Sequence, residues 1–241
     1  MDGALAAFAE LVRLPESELD LGRAALAIAE IEHPGLSPEP YLARLDELAA
    51  RSGVARKPAG RARLDRLSAF LFEQEGFRGN AEDYYDPRNS CLNDVLDRRL
   101  GIPITLSVLM LEIGRRVGLA IAGIGLPGHF VVAAQMGGAV VVVDPFGGGR
   151  TLTREDADAL VSRVVGQPVN LTEAHFAPDS KREIITRMLL NLKGIYARRE
   201  NWGKVLAVLD RLLIVDGDNR THASERGTAL ARYRKKLATL N

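Results

Sequence analysis

Residues 84–146 read YYDPRNSCLNDVLDRRLGIPITLSVLMLEIGRRVGLAIAGIGLPGHFVVAAQMGGAVVVVDPF, and the architecture is decided here. After Gly101-Ile102-Pro103 breaks a short helix, Leu106, Leu109, Met110, Ile113 and Val117 recur at helical spacing. They predict a second helix that Gly118 ends, with Glu112, Arg115 and Arg116 on its outer face. Three strand-like runs follow, 120–124, 129–135 and 139–144, the last two joined by Met136-Gly137-Gly138. Glycine accepts the positive φ of a tight hairpin turn, so this connection predicts antiparallel pairing. A helix followed by antiparallel strands is an α+β pattern.

The flanks are helical. Apolar residues at three- and four-residue steps predict helices over 16–32, stopped by His33-Pro34-Gly35, over 38–51 behind a Ser37 cap, and over 64–72. Asn89 or Ser90 is expected to cap the short helix through Arg98. Thr153 and Asp156 are spaced as a capping box for a helix over 153–164, residues 167–180 read as irregular, and residues from 181 onward read as helical. Three units are expected: a helical N-terminal region (1–80), a core (81–180) and a helical appendage (181–241).

The chain has 241 residues, enough for one large domain or a core with a smaller appendage. With 32 basic and 31 acidic residues it lacks a global field that would favour nucleic acid or an anionic membrane, and no apolar stretch reaches the ~20 residues that span a bilayer. The N-terminus lacks the basic and apolar segments of a secretory signal, so a cytoplasmic location is expected. Arg56, Lys57, Arg61 and Arg63 read as a solvated linker and helix start.

The chemistry-bearing residues are Cys91, the single cysteine, with His129 opening one strand and Asp144 closing the next. In that order they suit a thiol nucleophile, its base and the group orienting the base, provided that Cys91 reaches the other two. The competing reading of Cys91 is a small buried hydrophobe beside Leu92 and Val95. Thr105 and Ser107 are expected to cap or back-bond in the first turn after Pro103. Asn89, Asn93, Asp94, Arg98 and Arg99 form a polar cluster that either lines a cleft or includes an exposed i,i+4 pair. His33, His175 and His222 lack ligand spacing, so neither a metal nor a cofactor is expected. Gly147-Gly148-Gly149 precedes no Lys-Ser or Lys-Thr and is read as a turn.

The helix-strand-strand order with His129-Phe130 and Asp144-Pro145 resembles the transglutaminase-like, papain-type superfamily. Laid between Gly101 and the helix-ending Gly118, the family's nucleophile position falls on Pro103, while its histidine and aspartate carry over to His129 and Asp144. The blocks NSCLNDVLDRRLGIPITLSVLMLEIGRRVGL, LPGHFVV and VDPFGGG resemble, more narrowly, the bacterial SirB family, which joins such a domain to C-terminal tetratricopeptide repeats; the resemblance spans about 24–232. Leu192, Tyr196, Trp202, Val205, Leu209 and Leu212 fit about one such repeat of ~34 residues, with Gly217 in place of the usual proline. This resemblance implies a transglutaminase-like protein without its nucleophile, binding a protein or peptide in a cleft at His129 and Asp144 that Asn89, Asn93, Arg98 and Thr105 help to line. The alternative it leaves open is a thiol acyltransferase, amidase or peptidase using Cys91, His129 and Asp144.

Overall fold

The structure is a computed structural model that describes residues 3–239. Three helices open the chain: α1 (Gly3–Arg13), α2 (Leu21–Ala29) and α3 (Glu39–Arg51). α2 starts later than the apolar spacing from Glu16 suggests, because the Asp20 carboxylate accepts from the Arg23 N–H and caps it. Pro38, not Ser37, occupies the cap position of α3, and the Ser37 hydroxyl donates to Glu39 instead. α4 (Arg61–Ser68) runs into a wider π-helical turn over Ala69–Gln74, which brings Phe70, Leu71 and Phe72 to the core.

β1 (Arg78–Gly79) and β2 (Leu100–Gly101) form a short parallel pair around α5 (Leu92–Arg98). α6 (Pro103–Arg116) follows, then β3 (Ala122–Leu126), β4 (His129–Met136), β5 (Ala139–Asp144) and β6 (Arg150–Leu152), an antiparallel sheet in chain order. Gly137 (φ 58°) and Gly138 (φ 84°) make the turn between β4 and β5. α7 (Arg154–Val165) begins with the capping box of Thr153 and Asp156 and is followed by α8 (Lys181–Arg198), α9 (Trp202–Val215) and α10 (Arg220–Ala238). The fold is α+β.

α6 is the axis. It packs against α2, α3, α5, α8 and β4, and every residue from Pro103 to Gly114 is buried. Glu112 therefore does not face solvent as its helical position suggests. It is 2% exposed and accepts from Arg115 Nη2 at 3.1 Å and from Arg116, directly over Gly22, where a Cβ would lie 2.8 Å from its carboxylate. The principal core runs from Phe8 through Leu26, Leu109 and Phe130 to Leu192 and Leu209, so it draws on all three stretches, 1–80, 81–180 and 181–241. A smaller core beneath the other face of the sheet joins Leu126, Val131, Val142 and Leu152 to Leu160 and Val161 of α7. With both faces covered, β4 is buried at every residue from His129 to Ala134 rather than at alternate ones. Among the described residues no helix is long and apolar enough to cross a membrane.

Candidate functional site

β4 opens at His129, and β5 closes at Asp144. The pairing of Val132 with Val143 places Asp144 one step further along, diagonal to His129 on the same face. His129 Nε2 lies 2.9 Å from Asp144 Oδ1, and both side chains are buried. A carboxylate only accepts, so Nε2 carries the proton and Nδ1 is the nitrogen left for a ligand. Asp144 Oδ1 also accepts from the Phe146 N–H at 3.1 Å, and the Asp144 carbonyl accepts from Gly149 N–H at 2.8 Å. Gly149 has φ +76°, and its carbonyl accepts from Ser68 Oγ at 2.6 Å. A Cβ there would collide with Ser68 and Phe72, so the glycine run is the corner that fixes Asp144. The Phe146 ring stands edge-on to His129 at 6.1 Å and to Tyr84 at 6.0 Å.

His129 and Tyr84 line a cavity of about 260 Å³ together with Pro103, Ile104, Arg187 and Asn191, among others. Pro103 is the first residue of α6 and faces the same cavity as His129, but it has no nucleophile and no backbone N–H to offer. Arg187 is held across the cavity by Asp179 at 2.9 Å and the Gly125 carbonyl at 3.2 Å.

Cys91 is elsewhere. It occupies the cap position of α5, where Asn89 or Ser90 was expected, and is fully buried. Its thiol donates to the Pro87 carbonyl at 3.5 Å, and it does not line the His129 cavity. Burial, reinforced by the negative charges of Asp94 and Glu32, pushes the thiol pKa far above its ordinary value. The fold brings a different histidine and aspartate to it. His33 Nε2 lies 2.6 Å from Asp94 Oδ2, and donor atoms of His33, Cys91 and Asp94 all lie within 4.8 Å of one another.

Residues 39–190 match the transglutaminase-like superfamily. The chain belongs to that superfamily. It is 32% identical over 243 residues to a UPF0162 protein of Xylella fastidiosa, covering 96% of this chain and 84% of that one. A UPF0162 protein of Vibrio cholerae is 29% identical over 168 residues, covering 69% of this chain and 62% of that one. Mouse F-box only protein 21 is 31% identical over 143 residues, covering 56% of this chain and 22% of its own length. No solved structure gives a significant match.

The other residues expected in the transglutaminase-like cleft take places away from its lining. Asn89 brackets the polar loop before α5: its amide donates to the Asp83 carbonyl at 2.7 Å and its oxygen accepts from Asn80 at 3.1 Å and Arg98 at 3.4 Å. Arg98 also pairs with Asp86 at 3.2 Å, and Asp94 is engaged by His33 rather than by Arg98. Asn93 and Thr105 are buried. The hydroxyls of Thr105 and Ser107 have no hydrogen-bond partner among the described residues, so the expected back-bonding is absent. Sequence reasoning missed Tyr84, Arg187 and Asn191. Arg187 and Asn191 are one helical turn apart on α8, a spacing that flags a shared face but not what that face meets.

Proposed function

We propose that this chain is a SirB-type transglutaminase-like protein that has exchanged thiol chemistry for binding, holding a protein or peptide segment in the cavity at His129. The observation that carries this reading is the separation of parts. The cavity presents His129 with its Asp144 partner but has Pro103 at the nucleophile position, while the one thiol lies buried outside its lining. A base without an accessible nucleophile cannot begin acyl transfer through a thiol. What remains is an imidazole Nδ1, a guanidinium at Arg187 and the amide of Asn191, donors and acceptors suited to a peptide backbone or carboxylate. α8, α9 and α10, the tetratricopeptide-like helices, supply additional surface for the same partner.

Two measurements test this. Alkylation of Cys91 in the native, chelator-treated protein is expected to be on the order of a thousandfold slower than in urea, because the sulfur must wait for local opening, and indifferent to His129→Ala. Rapid native labelling that His129→Ala slows would restore the enzyme using Cys91, His129 and Asp144. A peptide array probed with wild type and Arg187→Ala then reads binding directly. Spots that Arg187→Ala loses support the reading; an array with no bound peptide, or one unchanged by the variant, overturns it.

A further inference from the structure

The cluster at Cys91 lies outside the His129 cavity and is independent of the reading above. His33 sits in the turn beyond α2, Cys91 caps α5 and Asp94 lies in the first turn of α5. We infer that His33, Cys91 and Asp94 bind a divalent transition-metal ion, zinc being the best match, through one nitrogen, one sulfur and one oxygen.

The donor set argues for this class of ion. Thiolate with imidazole suits borderline-soft zinc and its neighbours, whereas magnesium and calcium take oxygen. The spacing fits as well. Bonds of about 2.0 to 2.3 Å let one tetrahedral ion span donors roughly 3.3 to 4 Å apart, and the three donors already lie within 4.8 Å of one another. Charge then balances. A Cys91 thiolate and the Asp94 carboxylate carry two negative charges that a divalent ion cancels, while nearby Glu32 is already matched by Lys204 at 2.7 Å. Access is one-sided: the His33 side chain is 36% exposed and Cys91 is not exposed at all, so the ion arrives past the imidazole. The Asn93 side-chain oxygen, on the same helical turn, is buried without a hydrogen-bond partner among the described residues, so this turn carries an oxygen that its protein neighbours leave unsatisfied. Three protein donors leave a fourth position for water.

Binding balances as follows. The Cys91 thiol gives its proton to solvent and its hydrogen bond to Pro87 is lost. Neutral His33 moves its proton from Nε2, where it meets Asp94, to Nδ1, and Nε2 and Asp94 Oδ2 turn from each other to the ion. One proton is released per metal.

The test is a Co2+ titration of the full chain after removal of metals with a chelator. One equivalent is expected to develop a thiolate-to-cobalt charge-transfer band with strong visible bands of a four-coordinate site, and Zn2+ should bleach both. Cys91→Ser should lose the charge-transfer band. His33→Ala, at a partly solvent-exposed residue, and Asp94→Asn should each weaken Co2+ by at least about tenfold while circular dichroism shows the fold retained. Wild type without the charge-transfer band, or affinities unchanged in both the His33 and Asp94 variants, would overturn the assignment; the latter leaves only adventitious binding to the thiol.

Discussion

Urea unfolding of the metal-free protein is expected to show stability falling by roughly 1.4 kcal/mol per pH unit once the pH exceeds about 8.5, the ordinary thiol value. Burial, with Asp94 and Glu32 adding to it, raises the Cys91 pKa in the folded protein. The sign follows from proton counting. Above the unfolded pKa the unfolded chain has lost the thiol proton and the folded chain keeps it, so the folded state binds more protons and loses stability as pH rises. This contribution is intact below about pH 8.5 and amounts to a loss of about 2 kcal/mol by pH 10. Tyr196 repeats the effect above about pH 10, because burial and the hydrogen bond from its hydroxyl to Glu32 at 2.7 Å hold the phenol protonated. Tyr84 and Tyr41, raised chiefly by burial, add to that upper range. The decisive comparison therefore lies between about pH 8.5 and 10, where Cys91→Ser should flatten the slope and Tyr196→Phe should not. A wild-type curve that is level there, or one equally steep in Cys91→Ser, would contradict a sealed thiol.

The parts of the fold that were legible in the sequence are those written in local chemistry. Gly137-Gly138 accepts positive φ, and the tight turn it makes pairs β4 with β5, the register that puts Asp144 diagonal to His129. Thr153 and Asp156 satisfy each other's backbone, so the start of α7 was readable from four residues. What failed was decided by neighbours distant in sequence. Glu112 occupies what reads as an outer face, yet helices on several sides of α6 leave it no solvent, and two guanidinium groups hold its charge instead. β6 has only three residues and pairs solely because the glycine corner returns the chain to β5. His33 and Asp94 are separated by 61 positions, so no spacing rule could join them or bring Cys91 beside a histidine and an aspartate other than His129 and Asp144. Arg187 likewise reaches the cavity only because α8 packs beside α6.

Asp144→Ala is expected to lower stability by about 3 to 5 kcal/mol, the largest loss of any single side-chain truncation at the site. Two donors would lose their acceptor at once: His129 Nε2–H at 2.9 Å and the Phe146 N–H at 3.1 Å, both at a carboxylate that is 2% exposed. Hydrogen bonds to a charged acceptor contribute about 1.5 to 3 kcal/mol each, and a buried donor left without one retains its desolvation cost. Asp144→Asn keeps an oxygen for the Phe146 N–H and should cost less than half as much. Equilibrium urea unfolding measures both, and an alanine variant within about 1 kcal/mol of wild type would sink the argument. His129 Nε2–H and the Phe146 N–H reach the same oxygen, Oδ1, so an asparagine that keeps its amide oxygen there holds the corner and leaves the proton on Nε2 without the carboxylate's charge. Nitrogen NMR of His129 should therefore report an unchanged tautomer in Asp144→Asn, and peptide binding should persist with the fold. A switched tautomer would show instead that the amide nitrogen has turned to Nε2 and that the Phe146 N–H has given up its acceptor, and the variant should then lose as much stability as Asp144→Ala.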